Sequence, residues 1–225
     1  MPCTELRQDL ESMKKTDLLD AVQKLYNNRA PINSKTNKST LCRLIRERST
    51  VPKKRPNPLP HKPNRTEPKF TQKNWIRYIR HVNCYAYALG DARKHKEKST
   101  PGTYAGIHSP VSMGNCKELS RRVLADNPKK VVQLKSPYQP CPKQSHKIIM
   151  VTTGDKDPNQ GDFHFYRHHP TGVWSHKRGW STPPLLRDSR GKIIWDPIRA
   201  NRSYEGLNYK KYCSSFCVRK GGKTK

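Results

Sequence analysis

The chain has 225 residues, room for one ordinary domain with a sizeable core or for a smaller core with an appendage, and too few for two full enzymes. Lys and Arg total 46 against 17 Asp and Glu, a net charge of +29, which attracts polyanions such as nucleic acid or acidic protein surfaces and says nothing about fold. Only 32% of residues are hydrophobic and 19 are proline, so part of the chain is expected to run as extended arms rather than enter a core.

The first element is predicted over Thr16–Tyr26, where Leu18, Leu19, Val22, Leu25 and Tyr26 share one helical face and Thr16 is available as N-cap. Asn27–Lys38 reads as an extended loop with Pro31. The apolar stripe resumes with Leu41, Leu44 and Ile45 in a second helix over Ser39–Arg46. Residues 50–73 contain the run Val51-Pro52-Lys53-Lys54-Arg55-Pro56-Asn57-Pro58-Leu59-Pro60, where each proline removes a donor and turns its predecessor away from helix. This predicts a basic polyproline-type linker or arm. Beyond it, helical pattern is expected at Asn83–Leu89 and Lys117–Leu124. Strands are expected at Lys147–Thr153, Phe163–Arg167, Val173–His176 and Ile193–Trp195, giving an α+β domain with a small antiparallel sheet.

Charge changes density along these segments. Residues 1–49 carry 10 basic and 6 acidic side chains, residues 50–73 carry 7 and 1, and residues 74–225 carry 29 and 10, so most of the excess belongs to the larger domain.

The most informative string is His81-Val82-Asn83-Cys84-Tyr85-Ala86-Tyr87-Ala88-Leu89-Gly90. Asn83 is a favoured N-cap and Gly90 a favoured helix end, which places Cys84 in the first turn, where the helix dipole is expected to lower the thiol pKa. Packing as an inert buried thiol is the competing reading. Further on, Phe163–Arg167 and Val173–His176 flank the turn His169-Pro170-Thr171-Gly172. A register symmetric about Pro170 sets His164 directly opposite His176, so that one imidazole orients the other. Cys84, His164 and His176 then follow the logic of nucleophile, base and orienting group.

A helix opened by N-C-x-x-Y-A, a strand bearing one His and a second His a dozen residues later resembles the NlpC-type papain-like cysteine hydrolases, over about residues 75–200. The resemblance implies a papain-like core at 74–218, with Cys84 as nucleophile, His164 as general base and His176 as orienting residue. It further implies cleavage of peptide, isopeptide or amide bonds without a cofactor or metal. The pattern T-D-L-L-D-A-V followed by K-S-T-L-C-R-L-I-R resembles the SAP-type helix-extension-helix modules of large DNA viruses, which implies a module at 1–49 presenting Lys35, Lys38, Arg43 and Arg46 to DNA. With the linker at 50–73, where Lys53, Lys54 and Arg55 are further nucleic-acid candidates, and a basic tail at 219–225, the resemblances point to a virion-associated protein. Its expected partners are other virion or capsid proteins, nucleic acid, and a peptide or protein substrate.

Several assignments stay open in the sequence. Asp196 or Asp162 competes with His176 as orienter, and Asp196 before Pro197 equally suits a turn cap. The backbone N–H of Cys84 with Asn83 or Tyr78 is expected to supply the oxyanion donors. Cys213 and Cys217 have half of a zinc spacing that Cys116 and Cys141 would have to complete, and structural packing is the stronger reading. Tyr204, Tyr209 and Tyr212 suit base stacking or pinning the C-terminal segment to its own core. Seven scattered cysteines, an odd number, are expected to be reduced thiols. No ~18-residue apolar run and no basic-then-apolar N-terminus are present, so the chain is expected to be neither membrane-spanning nor exported. The competing class is structural: a minor capsid or cement protein that uses a disused hydrolase fold as scaffold.

Overall fold

Apolar residues three and four apart build the first two helices. The computed structural model describes residues 13–26, 30–72, 75, 79–94, 96–180, 182–204 and 206–220. In it α1 spans Lys15–Leu25 and α2 spans Lys38–Ser49. Leu18, Ala21, Val22 and Leu25 meet Leu41, Cys42, Leu44 and Ile45 in one cluster, completed by Leu185 from far along the chain. Arg178 Nη1 also donates to the Lys24 carbonyl at 2.8 Å, so the helical pair is docked on the larger unit. Asn37 caps α2, its Oδ1 accepting from the Thr40 amide at 2.8 Å. Thr16 does not cap α1. The helix begins one residue before it, after Lys14, whose side chain makes no cap bond.

The Pro-rich segment lies along the larger unit as a strap. Its prolines lack ladder donors, so side chains fasten it. His61 is fully buried and its Nε2 meets Asp196 Oδ1 at 3.0 Å. Asn64 Nδ2 donates to the carbonyls of Pro142 at 2.6 Å and Ser145 at 2.9 Å, and the Pro68 carbonyl accepts from His169 Nδ1 at 2.8 Å.

The described residues of the larger unit form two helices, α3 (Cys84–Leu89) and α4 (Cys116–Asp126), and an antiparallel five-stranded sheet. Its strands are β1 (Val131–Gln133), β2 (Ser145–Thr152), β3 (Phe163–His168), β4 (Trp174–His176) and β7 (Lys211–Arg219), in the order β1-β7-β2-β3-β4. A small ladder, β5 (Ser203–Tyr204) with β6 (Leu207–Asn208), stands apart. The architecture is α+β. On one face of the sheet Ile148, Met150, Phe163, Phe165 and Phe216 pack against Tyr85 and Leu89 of α3 and Leu119 and Val123 of α4. On the other, Ile149, Val151, Tyr166 and Trp174 are covered by Ile194, Tyr204 and Tyr209.

Two sequence expectations are corrected here, and one strand is added. Ile193–Trp195 is not a sheet strand. Ile193 makes one bridge to Arg187, and Pro183-Pro184 strips donors from the neighbouring segment with which a longer ladder would pair. The segment holding Tyr212, Cys213 and Cys217, for which no strand is predicted, is a long strand beside β2, and Tyr212 packs on the core cluster of Tyr204 and Tyr209 as the pinning alternative expects. Four cysteines are disulfide-bonded rather than reduced, Cys116 to Cys213 and Cys141 to Cys217, while Cys42 and Cys84 are unbridged. A bulge explains the pairing. Met150 faces Ser214 and Val151 faces Tyr212, so Cys213 is the extra residue and joins the helical face with Phe216, leaving Cys217 on the opposite one. A spacing of four, which on a regular strand shares a face, thus serves two separate disulfides.

Candidate active site

β3 and β4 form the hairpin that carries the two histidines, but not in the symmetric register. Tyr166 pairs with His176, Arg167 with Ser175 and His168 with Trp174. The turn runs from His169 to Val173, closed by the His169 amide on the Val173 carbonyl, with Gly172 in the left-handed region at φ 85°. The register is shifted by two residues from that expectation. An even shift keeps each side chain on its face, so His164 and His176 become diagonal neighbours on the same side. Their rings stand edge to face with centroids 5.0 Å apart, and His164 Nε2 lies 2.7 Å from His176 Nδ1.

The proton positions follow from the outer partner. His176 Nε2 is 3.0 Å from the Arg187 carbonyl, which only accepts, so Nε2 carries the hydrogen. Burial pushes the His176 pKa down to about 3, with Arg178 opposing its charge further, so the ring is neutral and Nδ1 is an acceptor. His164 Nε2–H therefore donates to it. Burial first, and then His176, Arg178 and Lys98, hold His164 well below the ordinary imidazole range as well. The neutral His164 ring is left with Nδ1 as its basic nitrogen.

Cys84 is the first residue of α3. Asn83 caps the helix, its Oδ1 accepting from the Ala86 amide at 3.1 Å, and Gly90 ends it in the left-handed conformation. The cap leaves the Cys84 amide outside the helix's own hydrogen bonds. Cys84 is 3% exposed, and its Sγ reaches the edge of β3 that short β4 does not cover, 3.9 Å from the Phe163 carbonyl. Phe163 and Phe165 share the cluster of Cys84, so His164 between them points to the other face. Cys84 therefore lies on the helical face of the sheet and His164 on the other, with no hydrogen bond joining them.

The thiol environment corrects the helix-dipole expectation. Burial, and secondarily the carboxylate of Asp162, push the Cys84 pKa up to about 12, against the opposing Lys98, Phe165 backbone and Lys177. A six-residue helix does not outweigh those effects, and the resting thiol is protonated. Lys177 is itself fully buried, donating from Nζ to the carbonyls of Ile79 at 3.0 Å and Gly179 at 2.7 Å, and burial pushes its pKa down to about 7.

Asp162 joins this neighbourhood. Its Oδ2 accepts from the Tyr209 hydroxyl at 2.9 Å, and the Tyr209 ring lies 5.1 Å from that of His164. Asp196 does not join it. His61 takes its Oδ1, which also accepts from the Ile198 amide at 2.9 Å, so it fastens the strap and caps the turn over residues 196–200 rather than bonding His164 or His176. Asn83 has Oδ1 on the cap and one Nδ2 hydrogen donated to the Ser99 carbonyl at 2.5 Å, which leaves one N–H of its side-chain amide. Tyr78 lies outside the described residues. Sequence reasoning missed Lys177 and Tyr209 as members of the site, because Lys reads as surface and Tyr209 sits in a lysine-rich stretch.

No protein-family model, curated protein or solved structure matches the chain.

The nucleic-acid candidates occupy a different region. Lys35, Lys38, Arg43 and Arg46 are exposed on the helical pair, where Arg43 pairs with Glu47, and Lys53, Lys54 and Arg55 are exposed on the strap. No helix among the described residues is long and apolar enough to cross a membrane, and no cluster of three or more His, Cys, Asp or Glu among them suits a metal ion.

Proposed function

We propose that the chain is a papain-like cysteine hydrolase of the NlpC type acting on a peptide, isopeptide or amide bond, with Cys84 as nucleophile, His164 as base and His176 as its orienting partner. The observation that carries the reading is the His164–His176 hydrogen bond, with His176 locked by the Arg187 carbonyl, because it leaves His164 Nδ1 basic in a ring that cannot change tautomer cheaply. Since thiol and imidazole are both neutral at rest, proton transfer accompanies attack. The Cys84 S–H proton passes to His164 Nδ1 as sulfur bonds to the carbonyl carbon, and the oxyanion is met by the Cys84 amide. His164 then protonates the departing amine, and water resolves the thioester by the reverse path. The 3%-exposed thiol marks a closed resting form, so reaction requires the β3 edge to open at Cys84.

A second reading has its own observation. A protonated, buried thiol with no bond to the imidazole also fits a disused hydrolase fold serving as a minor capsid or cement protein, with Lys35, Lys38, Arg43, Arg46 and the strap cations facing DNA or acidic capsid surfaces. Residence in a virus particle suits either reading, and two disulfides suit a protein that persists in particles exposed to oxidising surroundings.

A generic acyl donor separates the two. Incubated with p-nitrophenyl acetate, an active enzyme acetylates Cys84, as peptide mass mapping reads directly, and His164→Ala slows that acetylation by about 10²-fold or more. Acetylation spread evenly over lysines and unchanged by His164→Ala supports the scaffold reading.

A further inference from the structure

Three residues along β3 from His164, on the helical face, the Arg167 side chain is 93% buried, from its 7% exposure. It has no carboxylate partner among the described residues. Nη1 donates to the Tyr87 carbonyl at 3.2 Å, Nε has no partner, and the guanidinium carbon lies 5.7 Å and 5.6 Å from the ring centres of Trp75 and Tyr87. Capping α3 and covering two rings uses one of five donors. A guanidinium cannot shed its charge as a lysine can, and buried ions are normally paired. Arg167 also lines a cavity of about 240 Å³, together with Lys69, His169, Trp75, Tyr87 and Ala92. His169 adds no charge there, since its Nδ1 donates to the Pro68 carbonyl and its Nε2 accepts from Ser175 at 2.6 Å.

We propose that this cavity is an anion site, in which Arg167 and Lys69 hold the carboxylate or phosphate group of a ligand of about amino-acid size and the Trp75 and Tyr87 rings flank its apolar part. The remaining Arg167 donors match two oxygens of one such group, and the aromatic walls exclude water and strengthen the contact. The cavity shares no lining residue with Cys84, His164 or His176, so the site stands whether or not the chain is a hydrolase.

Calorimetric titration of the full chain with sodium acetate and, separately, inorganic phosphate tests it. Saturable 1:1 binding of either is expected, and whichever binds more tightly assigns the head group. Lys69→Met should weaken binding several-fold, Arg167→Lys about tenfold or more by losing the forked geometry, and Ala92→Leu should abolish it by filling the cavity while leaving both cations in place. Changing Lys53, Lys54 and Arg55 to Met should leave it unchanged. If neither anion saturates by about 10 mM, or if the strap variant weakens binding while Ala92→Leu does not, the anions are merely answering the overall charge and the site is refuted.

Discussion

His164 Nε2 and His176 Nδ1 are 2.7 Å apart although the two residues are not cross-strand partners; His176 faces Tyr166, and the contact is diagonal. The bond depends on His176 offering an acceptor at Nδ1 while Nε2 donates to the Arg187 carbonyl. His176→Leu removes both functions and leaves two buried polar groups unpaired, costing about 1–3 kcal/mol for each. It should also lower Cys84 acetylation by about 10²-fold or more. His176→Asn, whose amide both accepts and donates, should recover part of the rate. Chemical denaturation read beside acetylation separates the two effects: a rate loss that tracks stability alone in both variants contradicts an orienting role.

Acid should unfold the protein steeply. His146, His164, His168, His169 and His176 are buried, and burial lowers the pKa of each, so the folded state keeps them neutral while the unfolded chain binds protons near pH 6.5. Their contribution is intact above that pH and is lost as pH falls toward the folded values. Each histidine costs up to about 1.4 kcal/mol per pH unit below 6.5. Denaturant midpoints measured from pH 7.5 to 5 should fall with a slope of several protons, and a flat profile would contradict neutral burial.

Asp162 raises the Cys84 pKa, so Asp162→Asn should lower it while Oδ1 stays the acceptor for the Phe163 amide and the new Nδ2 donates to the Tyr209 hydroxyl oxygen. Iodoacetamide labelling of Cys84 at fixed pH should then quicken. Slower labelling would instead assign the carboxylate a supporting role toward His164.

The two disulfides close sequence separations of 97 and 76 residues and anchor β7 on opposite faces of the sheet. In the chain-entropy model each contributes about 4–5 kcal/mol, and because the loops overlap the pair contributes less than the sum. Non-reducing peptide mapping should recover Cys116–Cys213 and Cys141–Cys217, and reduction should lower the thermal midpoint sharply. Reactive thiols at Cys116, Cys141, Cys213 and Cys217 in the untreated protein would contradict the pairing.

The α3 boundaries were legible because Asn83 and Gly90 carry their geometry in their own chemistry, and β2 because Ile148-Ile149-Met150-Val151 is a continuous apolar run. Other features were hidden. The five-residue hairpin turn moved the register by two, and only the even shift preserved the histidine contact. β7 reads Lys-Tyr-Cys-Ser-Ser-Phe-Cys-Val-Arg, whose polar residues and bulge mask its place between β1 and β2. Asp196 ends a hydrophobic stretch, but its partner His61 lies 135 residues away on a strap that composition describes only as basic and Pro-rich. Burial of Lys177 and Arg167 carries no local sequence signal, because their neighbours His176 and Tyr166 would occupy the same pattern beside a surface cation.

Cys84 and Cys42 are each 3% exposed and unbridged, which makes Cys42 a built-in reference for the claim that His164, and not exposure, sets the reactivity of Cys84. The decisive measurement is the ratio of their carbamidomethylation rates under native conditions, read by peptide mass spectrometry in the unmodified chain and in His164→Ala. The hydrolase account predicts that Cys84 reacts faster than Cys42 and that His164→Ala lowers the ratio by about 10²-fold or more. Equal rates for the two thiols, or a ratio that His164→Ala leaves unchanged, would contradict it.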